Sequence, residues 1–238
     1  MEGLNQMRNL ANGEYGEKIW EAKIKTQDEV GVIRGTMCSL ETLNRQTTDW
    51  IKWIDSDVLT KLNKKSKILD AGVGPMARFA IEFAKRNYRV TGVDISQTTL
   101  DYAKKYIDAE GVKIELIKDD IVSLSSIRDK FDLIFCIETF FHIPPHLTGI
   151  ALKRFYELLT PGGYCLVQFA IKKKTSLKQL IFDFFYFGGH YVKRLFGAGF
   201  KVNISRFTKI EITEMIEQCG FRIDKEFEHG IFLIKKMK

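Results

Sequence analysis

Apolar positions along this chain switch between two periods. Ile68-Leu69 before Asp70, Val90 to Val93 before Asp94, and the near-continuous run from Phe131 to Ile137 read as strands buried on both faces. Val112 to Ile117 alternates instead, as a half-buried strand does. Strands are predicted at 66–71, 88–93, 112–117, 131–137 and 163–170, with helices at about 76–86, 96–108 and 146–159 between them. Such alternation builds a parallel sheet with helices on both faces. Beyond residue 208 the order changes. A helix through Ile212, Met215 and Ile216 stops near Gly220, and two strands follow, 221–227 and 231–236, turning at His229-Gly230. Upstream, Trp50, Trp53, Ile54 and Val58 recur at helical spacing, which predicts packing against the sheet. Tyr15 to Lys25 reads as a second amphipathic helix.

The first strand runs into Gly72-Val73-Gly74-Pro75-Met76-Ala77, which satisfies the dinucleotide pattern G-x-G-x-x-G/A. In a dinucleotide site this turn and the helix it opens face a pyrophosphate. Asp70, two residues before the first glycine, would repel that anion. S-adenosylmethionine carries no phosphate but has a cationic sulfonium, an ammonium and a carboxylate. Opposite unit charges about 4 Å apart gain roughly 1 to 4 kcal/mol at effective dielectric constants of about 80 to 20. The sign favours the sulfonium compound. Asp94, at the end of the second strand, is placed to accept both ribose hydroxyls. In Lys118-Asp119-Asp120-Ile121, Asp120 is placed to accept from the adenine amino group while Ile121 packs on the ring.

In this order and spacing, Asp70-Ala-Gly-Val-Gly74, Gly92-Val-Asp94-Ile-Ser, Asp119-Asp120-Ile and Leu-Thr-Pro161-Gly-Gly resemble the class I S-adenosylmethionine-dependent methyltransferases. The resemblance covers about Lys67 to Ala170 and resumes near Thr208. It implies an α/β fold, a Rossmann-like doubly wound seven-stranded sheet with a C-terminal antiparallel hairpin, an N-terminal helical cap and a basic, aromatic lid insertion. It implies S-adenosylmethionine as cofactor and S-adenosylhomocysteine as product. The cofactor-binding residues would be Asp70, Gly72, Gly74, Asp94, Ile95, Asp120, Ile121, Ile137 and Glu138. The cap implies an acceptor pocket with Tyr15, Trp20 and Phe141. Two departures stand out: Met76 occupies the usual place of a third glycine, and Asp70 to Asp94 is one residue longer than usual. The turn should therefore bulge at Pro75-Met76-Ala77.

Glu138-Thr139-Phe140-Phe141-His142-Ile143-Pro144-Pro145 leaves the fourth strand where acceptor and methyl group would meet. An imidazole with a pKa near 6.5 suits removal of a hydroxyl or ammonium proton, which makes His142 the candidate base; a structural histidine capping the loop is the alternative. Part of the family binds a divalent metal through E-x-x-E-H here. Phe141 replaces the second glutamate, and a hard cation needs several oxygens, so no metal is expected. The N/D-P-P-aromatic segment of base-modifying enzymes is also missing, so no stable nucleic-acid partner is expected.

Composition narrows the rest. The 238 residues, 45% hydrophobic, suit one domain: a cap at 1–63, a cofactor-binding core at 64–170, an insertion at 171–207, and a helix and hairpin at 208–238. No apolar run suggests a secretory signal or a membrane span. Cys38, Cys136, Cys165 and Cys219 lack metal or disulfide spacing and read as reduced thiols of a cytoplasmic protein. The charge is uneven. Residues 171–207 carry eight Lys/Arg against Asp183 alone, leaving 29 basic and 29 acidic residues elsewhere, so the whole +7 lies in this insertion. Leu177, Leu180, Ile181, Phe184 and Phe185 share one helix face. Three readings stay open: a packed helix with a solvated basic face, a lid over an anionic acceptor, and peripheral contact of 175–200 with anionic lipid. The expected function is methyl transfer to a small molecule, favouring oxygen over nitrogen, on an anionic metabolite such as a phosphorylated or nucleotide-linked sugar. The alternatives are a lipid-like, protein N-terminal or RNA acceptor, and a cofactor-binding scaffold without activity. Oligomeric state is not readable.

Overall fold

The structure is a computed structural model, and it describes residues 17, 18, 20, 21, 24, 40–172 and 204–237. Tyr15 and residues 173–203, most of the insertion with its lid and lipid readings, lie outside the described residues. Helix α1 (Leu40–Asp57) precedes a repeating strand–helix series: β1 (Lys67–Ala71), α2 (Arg78–Lys85), β2 (Arg89–Asp94), α3 (Gln97–Ala109), β3 (Glu115–Lys118), β4 (Phe131–Cys136), α4 (Pro145–Leu158) and β5 (Leu159–Gln168). Short strands β6 (Ala170–Ile171) and β7 (Arg206–Phe207) pair in parallel. Helix α5 (Lys209–Gln218) and strands β8 (Phe221–Phe227) and β9 (Ile231–Lys236) complete the chain.

The main sheet has seven strands in the order β3-β2-β1-β4-β5-β9-β8. β1 to β5 are parallel; β9 runs antiparallel to both β5 and β8. Successive residues of each central strand serve opposite faces. Leu69 and Ile134 pack with Leu152, Phe155, Ile212 and Ile216 of α4 and α5. Ile68 and Leu133 pack with Ile54, Phe79, Phe83, Leu100 and Ala103 of α1, α2 and α3. The chain winds outward from β1 to β3, then returns to β4 on the other side of β1. The carboxyl ends of β1 and β4 therefore flank the switch point, where Rossmann-like sheets open a crevice.

Local signals account for the helix starts. Ser96 caps α3 by accepting the Thr99 N–H at 3.0 Å. Thr208 and Glu211 form a capping box on α5, and Pro145 opens α4 after Pro144.

Three sequence expectations are corrected. β3 starts at Glu115, not 112, because Gly111 is left-handed (φ 66°) and the Val112 N–H closes α3 on the Ile107 carbonyl. The Pro161-Gly162-Gly163 turn is a bulge inside β5: Leu159 pairs with Phe131, and the next pair is Tyr164 with Leu133. Val58 is buried as expected, but it lies one residue past α1.

Candidate active site

The glycine turn is tied to β2. The Gly72 and Val73 N–H groups both donate to the Val93 carbonyl, at 2.8 and 2.9 Å. Gly72 has φ 88°, and a Cβ built on it would lie 2.3 Å from the Thr139 side chain. The Thr139 hydroxyl bridges the carbonyls of Gly72 and Ile137 at 3.3 and 3.2 Å. Gly74 (φ 68°) differs: a Cβ there meets nothing within 4 Å. The backbone at Gly74 is therefore open to close approach. The extra residue of the turn is absorbed at Ala77, which adopts a left-handed φ of 45° and donates its N–H to Gly74.

Asp94 is half-buried at the end of β2. Its Oδ1 accepts the Ser96 N–H at 3.0 Å and its Oδ2 the Gly74 N–H at 3.3 Å. Burial pushes this carboxyl up to about 6 against the pull of three backbone N–H groups, and Glu21 adds repulsion. Each oxygen keeps acceptor capacity for a diol, which fits a ribose. Ile95 is half-buried beside it. Asp120 accepts the Val122 N–H at 2.9 Å, and burial raises its pKa. Ile121, 9% exposed, packs with the core layer.

Asp70 is 4% exposed, and desolvation lifts its carboxyl to about 7. Arg78 and the Ala80 N–H, in the first turn of α2, pull it back, while Asp94 pushes it up. Its carboxyl lies against the start of α2, where negative charge is favoured.

Beyond β4, Ile137 is buried and Glu138 takes a left-handed φ of 59°. The Glu138 N–H donates to Gln168 Oε1 at 3.0 Å, and Gln168 Nε2 donates to the His229 carbonyl at 3.2 Å. The Glu138 carboxylate pairs with Arg78 and accepts from Gln46 Nε2. Arg78 also donates to Gln46 Oε1 and Thr47 Oγ1, at 3.0 and 3.2 Å. Phe140–His142 forms one 3-10 turn. The His142 ring meets Phe141 at 4.6 Å and Trp20 at 5.2 Å between centroids.

The N-terminal helical residues bridge the strand ends. Glu17 pairs with Lys118 of β3 at 2.6 Å. Glu21 accepts from Ser96 Oγ and the Thr98 N–H at the start of α3. Trp20 reaches His142. The ends of the insertion sit nearby: the Ser205 N–H donates to the Phe141 carbonyl at 2.8 Å, and the Lys172 N–H to Phe207.

Asp94, Gly74, Glu138, His142, Phe141 and Trp20 thus share one edge. Arg78, Gln46, Thr139, Gln168 and Glu21 were missed from sequence. Only Arg78 had a usable signal, as the first helical residue after the glycine turn. Among the described residues no group of three His, Cys, Asp or Glu is arranged to hold a metal. A groove of about 550 Å³ lined by Arg89, Lys104 and Lys113 lies at the other end of the strands, away from this chemistry.

A family model described as a methyltransferase domain matches residues 68–163. A ubiquinone biosynthesis O-methyltransferase of Coxiella burnetii is 27% identical over 173 residues, covering 73% of this chain and 69% of that protein. A carboxy-S-adenosyl-L-methionine synthase of Nautilia profundicola is 27% identical over 173 residues, covering 68% and 71% respectively. Among solved structures, magnesium protoporphyrin IX methyltransferase from Synechocystis PCC 6803 with bound SAH superposes with a TM-score of 0.59. It is 16% identical and covers 98% of this chain and 99% of that one.

Proposed function

We propose, for a chain that is a class I S-adenosylmethionine-dependent methyltransferase, that the acceptor is a small anionic molecule methylated at oxygen. When bound, S-adenosylmethionine supplies a methyl group already activated by a sulfonium. The residues have three remaining tasks: alignment, exclusion of water and removal of a proton.

Gly72, Gly74 and Asp94 would seat the donor, with its methionine end toward Glu138. Holding two reactants in line contributes roughly 7 to 11 kcal/mol. Trp20 and Phe141 flank His142 and would wall the acceptor from solvent. Neutral His142 would take the proton from the acceptor hydroxyl as the new bond forms, and a positioned base adds about 10²- to 10⁴-fold.

One observation carries the anionic acceptor. The whole charge surplus lies in residues 171–207, and Ser205, at one end of that stretch, is hydrogen-bonded beside His142. The relative named for ubiquinone biosynthesis O-methylation supports oxygen as the acceptor atom. We read residues 1–238 as one cytoplasmic domain without a stable nucleic-acid partner. Among the described residues no helix is long and apolar enough to cross a membrane.

The test is turnover over a panel of anionic, neutral and cationic metabolites, read as S-adenosylhomocysteine release. Hydroxylated anions should lead. Turnover confined to neutral or cationic acceptors, or to RNA or protein, overturns the reading. Salt-sensitive co-sedimentation with anionic liposomes would place the basic stretch on lipid instead.

A further inference from the structure

We propose that Arg154 is a positioning residue for base selection. From α4 its guanidinium fixes the segment after β3, and with it the place where Asp120 meets the adenine amino group of the donor. This rests on Asp120 accepting from that amino group.

Residues 119–130 join β3 to β4 without a helix. Their carbonyls therefore lack the ladder that a helical crossover supplies, although Leu124 and Ile127 are 0% and 3% exposed. Buried carbonyls need partners. Arg154 provides them. Its Nε donates to the Ser123 carbonyl at 2.9 Å, and its Nη2 to those of Leu124 and Ile127 at 3.1 and 3.2 Å. The remaining arm, Nη1, donates to Glu157 one turn along α4 at 3.0 Å. A rigid guanidinium fork holds several acceptors in a fixed arrangement, which a lysine ammonium on its flexible stem does not.

The clamp reaches Asp120 through short links. Leu124 sits at φ 42°, a conformation disfavoured for a side-chain-bearing residue. Its N–H donates to the Asp120 carbonyl at 2.8 Å, and the Ser123 N–H donates to the same oxygen at 3.1 Å. Ser123 and Leu124, both held by Arg154, are therefore bonded directly to Asp120. The near end of the segment is tied locally. The Asp119 N–H donates to the Asp94 carbonyl at 3.1 Å, and the Asp119 carboxylate accepts the Asp120 and Ser126 N–H groups at 2.8 and 2.6 Å. Arg154 supplies the hold from outside.

The Asp120 carboxylate is thereby presented in one direction. Its Oδ1 accepts the Val122 N–H, and among the described residues its Oδ2 accepts no hydrogen bond. An exocyclic amino group can donate to that oxygen; the 6-oxo group of hypoxanthine is itself an acceptor. Telling the two apart depends on position, because a hydrogen bond weakens steeply as its angle and distance depart from the optimum.

The experiment is calorimetric binding of S-adenosylhomocysteine and of S-inosylhomocysteine, which carries hypoxanthine in place of adenine. Wild type should prefer the adenine ligand roughly 10- to 100-fold, the range for a charged group left facing an acceptor. Asp120→Ala should abolish the preference. Arg154→Met should shrink it roughly 3- to 10-fold, chiefly by weakening S-adenosylhomocysteine, with Arg154→Lys between the two. Adding Arg154→Met to Asp120→Ala should change the ratio no further, since both act on one contact. An unchanged ratio in Arg154→Met, with both ligands weakened alike or only the melting temperature lowered, would show that Arg154 merely supports the fold and overturns the proposal. If Arg154→Met does not fold, Arg154→Lys decides, and a wild-type ratio there overturns it equally. Wild-type protein that binds both ligands with equal affinity removes Asp120 as the reader of the base and the proposal with it, a result distinct from a preference that survives in the arginine variants.

Discussion

The indole of Trp20 stands edge-on to the imidazole of His142, with 5.2 Å between centroids and 71° between the ring planes. A residue of the N-terminal helical stretch thus leans on the candidate base at the far side of the sheet edge, and the contact limits how that ring can turn.

Replacing His142 by Ala should lower kcat roughly 10²- to 10⁴-fold while donor affinity, measured by calorimetry, stays within about twofold. Trp20→Ala should lower kcat less, because the base remains but is less well oriented. Turnover of His142→Ala at the parent rate would remove the base assignment.

Donor affinity should depend on pH through Asp94. The ribose hydroxyls need an ionised acceptor, and burial holds this carboxyl near about 6 before ligand binds. Kd should be flat above pH 7 and rise as pH falls through 6, by up to about tenfold per pH unit. Asp94→Asn should bind weakly at pH 8 and lose most of that slope. A Kd for wild type that is constant from pH 5 to 8 would contradict this.

Asp70 makes a stability prediction of opposite sign to the usual acid. Its carboxyl titrates near 3.8 when unfolded and near about 7 when folded, so the folded protein holds the extra proton between those values. Stability present below pH 4 is therefore lost as pH rises through 7. Asp70→Asn removes the charge, and its amide oxygen can still accept the Ala80 N–H. The variant should melt higher than wild type at pH 8, by an order of a few kcal/mol, with the gap closing toward pH 4. A lower melting temperature at pH 8 would show that the ionised form is stabilised.

The two glycines of the turn should respond differently to alanine. Gly72→Ala meets Thr139 at 2.3 Å and should destabilise the whole protein. Gly74→Ala has open space and carries only the left-handed strain, roughly 1 to 2 kcal/mol. It should fold, yet bind the donor poorly, because its methyl group occupies the cradle. Thermal melts beside calorimetry separate the two outcomes, and equal melting temperatures would refute the contrast.

Much of the fold was legible because burial imposes its period on nearby residues. Phe131 to Cys136 is apolar throughout because both faces of β4 are covered, and the 221–227 and 231–236 strands were readable from their turn at His229-Gly230. The third strand was misplaced because β3 is an edge strand. It pairs on one side only, and its alternation continues into residues that close α3. The spacing from the glycine turn brought Asp94 to the site. Asp70 was singled out by the sign of its charge beside the turn; its burial against Arg78 and the Ala80 N–H was not legible, because both belong to the helix that follows.

From the sequence alone came the strand–helix alternation, the glycine turn, the acid at the end of the second strand and the concentration of charge in 171–207. These depend on local periodicity and on counting residues, which no folding step alters. Tertiary structure alone decided which charges and rings meet: Arg78 with Glu138, Glu21 with the start of α3, Trp20 with His142. Those partners lie far apart along the chain. They come together because β1 and β4 pair side by side and the N-terminal residues cross the resulting edge, a matter of strand order that no local pattern encodes.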